Sequence, residues 1–117
     1  MLELTLDRAV VAPGKEVTGT VAITSSGPCR ALSMALRFVE RSARLGVGAE
    51  VLAELDRGDL VAGQRYRFAL TLPPEALPET GTGNLQLFWE VRTWADRRLA
   101  GDPDARAPIQ VIRLRAR

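Results

Sequence analysis

Acidic side chains recur at two places in the chain where their spacing would permit chemistry. Glu50, Glu54 and Asp56 fall on one side of an alternating stretch, and paired carboxylates transfer protons when they share a pocket. The segment "DRRLAGDPDAR" holds three further aspartates, and oxygen-rich loops of this kind suit calcium. Its arginines would compete with a bound cation. We therefore expect the first set to form an exposed acidic face and the second a solvated turn.

The bases and nucleophiles of most enzyme sites are missing from the sequence. It has no histidine and a single cysteine, Cys29, so no intrachain disulfide can form. There is no Gly-x-Ser-x-Gly elbow. The glycines of "GVGAE" and "GTGN" are interpreted as hairpin glycines, and "GVG" at 46–48 could close a hairpin. No helix is predicted after either pair to complete a phosphate-binding loop. We expect Cys29 to be inert, and we expect a protein that is not an enzyme and needs no cofactor or metal.

The composition is that of an ordinary globular domain. The 117 residues suffice for one hydrophobic core, and we assign a single domain to residues 1–117. The formal net charge of +2 does not favour a nucleic-acid partner. No apolar run is long enough for a membrane span, and "MLELTLDR" lacks the apolar core of a signal peptide. The expected location is cytoplasmic.

Apolar and polar residues alternate along most of the chain, which is the period of a half-buried β-strand. A type II turn is predicted at Ala12-Pro13-Gly14-Lys15, and glycine–proline clusters separate the other alternating runs. This pattern predicts an all-β fold, an immunoglobulin-like antiparallel β-sandwich of about seven strands. The predicted strands are "LELTL", "EVTGTVAIT", "ALSMALRFVER", "AEVLAELDR", "QRYRFALTL", "NLQLFWEVRTWAD" and "APIQVIRL".

Residues 29–44 leave two structures open. Their alternation fits a strand, but Leu32, Leu36 and Val39 would also share one face of a helix. The neighbouring strands favour the strand, because a lone helix fits a two-layer sandwich poorly.

Gly19 lies in the middle of the strand "EVTGTVAIT". Glycine weakens a strand and is usually kept where another group approaches the backbone closely. Its side of the strand is apolar, so we expect a bulky neighbour such as Trp89 to fill the space beside it.

Two segments in this order resemble the arrestin-like β-sandwich superfamily. They are "LELTLDRAVVAPGKEVTGTVAI" and "LVAGQRYRFALTLPPEALPETGTGNLQLFWEVRTWAD". The sequence is similar to a single domain of the arrestin N-terminal type, as a bacterial member related to the Spo0M and Vps26 types. Arrestins have two such domains and this sequence holds one, so functions that need the second are not carried over. The resemblance implies a cytosolic binding or scaffold domain without catalysis.

The strand that contains Trp89 has a second aromatic side. Phe88 and Trp94 fall opposite Trp89, with Arg92 between them. A bulge near Thr93 could turn Trp94 inward, arginine stems could cover the rings, or a partner could bury them. We therefore select Phe88, Arg92 and Trp94 as candidate interaction residues for a protein partner, with a homodimer as one candidate.

The arginines of the last part of the sequence have two interpretations. They form either a basic patch or a solvated strand edge, and the edge is favoured; they are Arg97, Arg98, Arg113, Arg115 and Arg117.

The alternative function is a small-molecule or carbohydrate-binding β-sandwich module. A deep apolar pocket would favour that alternative, and a flat face would not.

Overall fold

A computed structural model describes residues 1–42, 45–82, 84–97 and 101–112. Every regular element in these ranges is a β-strand, and no helix among them is long and apolar enough to cross a membrane. The strands are β1 (Leu2–Leu6), β2 (Val10–Val11), β3 (Glu16–Ile23), β4 (Ala31–Arg41), β5 (Leu45–Arg57), β6 (Arg65–Thr71), β7 (Thr80–Thr82), β8 (Leu85–Asp96) and β9 (Asp104–Val111).

The strands form two sheets. The smaller sheet has the order β1-β3-β6, and the larger has the order β2-β9-β8-β4-β5, with β7 paired to β8. Neighbours are antiparallel, except that β2 runs parallel to β9. The predicted all-β, immunoglobulin-like sandwich is confirmed. The structure has two short strands, β2 and β7, in addition to the seven that alternation predicted. Alternation could not predict them, because a run of two or three residues is too short to show a period.

The inner faces of the two sheets meet in one hydrophobic core. Alternation places every second residue of each strand in this layer, where it loses contact with water. Residues 31–41 form strand β4, so the strand prediction for this stretch is confirmed. The core includes Val17, Val21, Ile23, Leu32, Met34, Leu36, Phe68, Leu70, Leu72, Trp89, Val91 and Ile109.

The predicted type II turn is present. Gly14 has a φ of 82°, and the Lys15 amide donates to the Ala12 carbonyl oxygen at 3.1 Å. The hairpin that "GVG" suggested is wrong, because Gly46–Gly48 lie inside β5. A register shift in the β4–β5 ladder, between Arg37 and Val39, accommodates this longer strand.

Gly19 is kept for a close approach, as its position predicted, but the expected neighbour was wrong. Phe68 of β6 lies opposite Gly19 in register, and a Cβ added there would come within 2.7 Å of the Phe68 Cζ atom. The same Cβ would also collide with the Thr5 carbonyl oxygen on β1. The adjacent strands of the glycine's own sheet, rather than Trp89 of the facing sheet, therefore leave no room for a side chain.

The larger sheet extends beyond the smaller one. Its strands β4, β5 and β8 have 11, 13 and 12 residues, against 5, 8 and 7 in β1, β3 and β6. The first half of β5 is exposed as a result, from Gly46 to Glu50. The segment that follows β6 packs under this end, where Pro73, Ala76 and Leu77 lie near Phe38 and Ala49.

Candidate functional site

Phe88, Arg92 and Trp94 lie on the outer face of the larger sheet, the side turned away from the core. The ladder between β8 and β4 keeps one register from Gln86 to Asp96. Thr93 is fully buried on the inner side, so Trp94 points outward. The bulge that would have turned Trp94 inward is absent from this ladder, and the first of the three proposed covers is excluded.

Arginine side chains cover both aromatic rings of the outer face in part. The Arg41 guanidinium carbon lies 5.2 Å from the centre of the Phe88 ring, and that of Arg92 lies 4.8 Å from the Trp94 ring. These distances fit cation–π contacts, in which the ring face attracts the cation. Both rings remain half-buried, so each still presents surface to solvent.

Asp104 of β9 fixes the position of Arg92. The Arg92 Nε atom donates to Asp104 Oδ2 at 3.1 Å, and Arg106 Nε donates to the same oxygen at 3.0 Å. Partial burial acts to raise the pKa of Asp104, but the hydrogen bonds from Arg106 and Arg92 together hold it below its usual value. Arg92 is therefore held beside its own aromatic neighbour.

Two of the three aspartates of the "DRRLAGDPDAR" segment, Asp102 and Asp104, bond to groups of the chain itself. Asp102 accepts a hydrogen bond from the Arg97 backbone amide at 3.0 Å, which is turn chemistry. Asp104 pairs with arginines, as described. Within the described ranges, no group of three or more Cys, Asp or Glu side chains is placed to hold a metal ion.

Several side chains in the middle of the outer face are buried. Arg37 of β4 and Glu90 of β8 stand opposite each other in register and are 7% and 3% exposed. Ala35 and Val39 flank Arg37 and are equally buried, although they belong to the outer side of β4 and not to the core between the sheets. The middle of the outer face is therefore buried, although it lies outside the core between the sheets.

Sequence reasoning missed two apolar residues of this face. Leu52 lies opposite Ala35 and is 66% exposed, and Val47 lies opposite Val39 and is 39% exposed. The signal for Leu52 was available, because it alternates in phase with the outward Glu50. Val47 was hidden in the glycine pair that suggested a hairpin.

The three carboxylates of β5 do not act together. Glu50 lies opposite Arg37 on the outer face, and Glu54 forms an exposed ion pair with Arg57 at 2.9 Å. A register shift in the β4–β5 ladder moves Asp56 off their side, so the shared acidic face was wrong for this residue. Asp56 instead accepts a hydrogen bond from the Tyr66 hydroxyl at 2.7 Å.

The outer face of the smaller sheet has a different character. Its outward residues are short or charged, and Arg67 pairs there with Asp7 at 2.6 Å. None of the residues that alternation places on this side is a large apolar one; they are Glu3, Thr5, Glu16, Thr18, Thr20, Ala22, Arg65, Arg67, Ala69 and Thr71. Large apolar and aromatic groups that reach solvent are therefore concentrated on one of the two outer faces.

Two other predictions from the sequence concern Cys29 and the C-terminal arginines. Cys29 is buried, and burial raises the pKa of its thiol, which fits the inert residue that was expected. The C-terminal basic residues Arg98, Arg113, Arg115 and Arg117 lie outside the described residues.

Comparison with known proteins supports the fold. No protein-family profile matches the chain, and no curated protein matches its sequence. The structure is similar to the crystal structure of Spo0M, a sporulation control protein from Bacillus subtilis, with a TM-score of 0.67 and 18% identity. The match covers 94% of this chain and 48% of that one, so the chain spans about half the length of that protein. The chain therefore has the arrestin-like β-sandwich fold that its two sequence segments indicated.

Proposed function

We propose that this chain is a non-enzymatic, cytoplasmic protein-interaction or scaffold domain whose contact surface is the outer face of the larger sheet. One observation carries the proposal: large apolar and aromatic side chains reach solvent on this face and not among the outward strand positions of the smaller sheet. Val47 and Leu52 are exposed, and Phe88 and Trp94 are half-buried. Large apolar side chains that reach solvent on one face are typical of interaction sites.

The residue types of this face favour a protein as the partner. Tryptophan and arginine are enriched among the residues that contribute most to protein–protein binding, and Trp94 and Arg92 are stacked here. A groove of about 310 Å³ runs beside Phe88, with Arg41 and Arg106 on its walls together with Glu79. Both signs of charge around an apolar centre match the polar rim and apolar core of protein interfaces.

The surface is also held in place before binding. Arg92 is tied to Asp104, and the Arg37–Glu90 pair fixes the middle of the sheet beneath it. A partner therefore has to order few side chains when it binds, which lowers the entropic cost of association.

The test is a comparison of two single substitutions, one on each outer face. Leu52→Lys alters the proposed contact surface, and Ala69→Lys makes a matched change at an exposed strand position of the smaller sheet. We expect both variants to keep the wild-type melting temperature, since both sites are exposed. Sedimentation velocity would report self-association, and affinity capture from the native cell would report other partners.

We expect Leu52→Lys to weaken the association and Ala69→Lys to leave it unchanged. Loss of the dimer in sedimentation would identify a second copy as the partner. Loss of specific captured proteins from a monomeric chain would identify a different protein. If both variants match the wild type in both measurements, the outer face is not the contact surface and the proposal fails.

A further inference from the structure

The outer face of the larger sheet has long side chains along one central strand and shorter ones along the next. Strands β8 and β4 are the middle pair of the order β9-β8-β4-β5. Strand β8 presents a phenylalanine, an arginine and a tryptophan outward, and the β4 residue beside each of them in register is smaller. The three pairs are Phe88 with Val39, Arg92 with Ala35, and Trp94 with Ser33.

Charge is also distributed unequally across this face. The edge strand β5 carries Glu50 and Glu54, and Glu50 forms no ion pair within the described ranges. On the opposite side, Arg92 of β8 and Arg106 of β9 share the one carboxylate of Asp104. One half of the face therefore has an excess of negative charge, and the other half an excess of positive charge.

Both distributions are self-complementary under a two-fold rotation. Consider a second copy that faces the first, with the rotation axis parallel to the strands and between β4 and β8. Strand β8 of each copy then lies over β4 of the other, and β5 lies over β9. Long side chains face shorter ones, and the acidic edge faces the basic side. An axis across the strands would instead set β5 against β5, where like charges repel.

The register of the ladders determines which residues face each other in this arrangement. Leu52, Ala35, Arg92 and Arg106 form one row across the four strands. In the rotated copy the order of the row is reversed, so Leu52 lies over the partner's Arg106, whose aliphatic stem covers it. Glu50 is the next outward residue of β5 in the strand direction towards Gly48, so its carboxylate is within reach of the same guanidinium.

The area of the face fits a dimer interface. Four strands at a spacing of about 4.8 Å, with about ten residues each at about 3.3 Å per residue, cover about 600 Å². The relief of the side chains makes the accessible area larger than this flat value. Specific protein interfaces of standard size bury about 800 Å² per partner. The face is therefore large enough for a closed, two-fold symmetric pair.

We propose that the partner of the outer face is a second copy of this chain, packed face to face about a two-fold axis that is parallel to the strands and lies between β4 and β8. This inference rests on the proposed contact surface and names its occupant. In the dimer, Phe88, Arg92 and Trp94 lie over β4 of the partner, and Glu50 faces the partner's Arg106.

Charge reversal at the two facing positions tests the arrangement. Glu50→Arg and Arg106→Glu each set like charges against each other at both symmetric contacts of their own dimer. In an equimolar mixture, the mixed dimer has opposite charges at both contacts: the two introduced residues face each other, and so do the two wild-type residues. Sedimentation equilibrium should show a wild-type dimer, dissociation constants at least about tenfold higher for each variant alone, and recovery of the dimer in the mixture.

Two matched variants on the smaller sheet provide the control. Glu3→Arg and Arg65→Glu make the same charge changes at exposed positions of its outer face and should leave the dimer unchanged. Circular dichroism and melting temperatures check that every variant is folded. Wild-type affinity in either variant of the larger sheet, or a mixture that stays monomeric, would overturn the proposed arrangement.

The state of the wild-type chain separates this inference from the proposed function. A chain that is monomeric at submillimolar concentration overturns the second copy as the partner. The outer face as a contact surface fails only if Leu52→Lys also leaves every captured protein unchanged.

Discussion

Arg37 and Glu90 form a buried ion pair on the outer face of the larger sheet. The Arg37 Nε atom donates to Glu90 Oε1 at 2.8 Å, and Nη2 lies 2.7 Å from the same oxygen without hydrogen-bond geometry. The two residues face each other across β4 and β8, and both are buried. The pair therefore connects the central strands beneath the proposed contact surface.

Removing one member of this pair should destabilise the fold strongly. Glu90→Gln leaves the Arg37 charge buried without a counter-charge, and such changes cost about 3–5 kcal/mol. We expect that loss in the free energy of unfolding measured by urea denaturation. The double variant Arg37→Met/Glu90→Leu should recover most of it, because no charge then stays buried. If Glu90→Gln lowers the free energy of unfolding by less than about 0.5 kcal/mol, as surface substitutions do, the result would contradict the buried pair.

The close approach at Gly19 predicts intolerance of even one methyl group. In Gly19→Ala the new Cβ meets both the Phe68 ring and the Thr5 carbonyl oxygen, so β1 or β6 has to move. Overpacking of this kind costs about 1–3 kcal/mol, which thermal unfolding would report as a lower melting temperature. Gly101→Ala is the matched control, since a Cβ there meets nothing within 4 Å. Equal melting temperatures for both variants would remove the packing role of Gly19.

The exposed pair of Asp7 and Arg67 predicts acid sensitivity. Hydrogen bonds from Arg67, and then from Thr18, lower the pKa of Asp7 from 3.8 to about 2. Its folded-state pKa lies below the unfolded value, so its contribution to stability is present above pH 3.8 and is lost as the pH falls through about 2. The melting temperature of Asp7→Asn should fall less than that of the wild type over this range. Parallel pH curves for the two proteins would argue against the pairing.

The hydrogen bond from Tyr66 to Asp56 predicts a shifted phenol titration at high pH. Burial, and then the Asp56 carboxylate, raise the pKa of Tyr66 from 10.0 to about 12. The raised value means that this contribution to stability is present below pH 10.0 and is lost as the pH rises through about 12. Tyr66 is the chain's one tyrosine, so tyrosinate absorbance reports it directly.

The control for this titration is Asp56→Asn, which removes the charge and should move the absorbance midpoint towards 10.0. Circular dichroism at each pH checks that the chain is still folded. A wild-type midpoint near 10.0 in the folded protein would contradict the hydrogen bond.

The layers of this fold follow from local properties of the sequence. Alternation in "EVTGTVAIT" and "RYRFALT" places their apolar residues inward, because successive side chains of a strand point to opposite faces. Pro13 and Gly14 likewise determine their turn through their own backbone preferences. Such features depend on neighbours in the chain and can be predicted from it. The same alternation placed Phe88, Arg92 and Trp94 on one outward face.

Strand order and register decided which side chains meet on the outer face and in the core. The sequence could not show that Arg37 meets Glu90, that Arg92 is held by Asp104, or that Phe68 rather than Trp89 lies beside Gly19, because these pairs join distant segments. Phe38 and Trp89 likewise line an apolar pocket together with Pro73 and Ala76, which lie far from them in the chain. The sequence by itself determined which residues face inward and outward, since that depends on a local period of two. Tertiary structure alone decided which of them meet, since long-range pairing sets those distances.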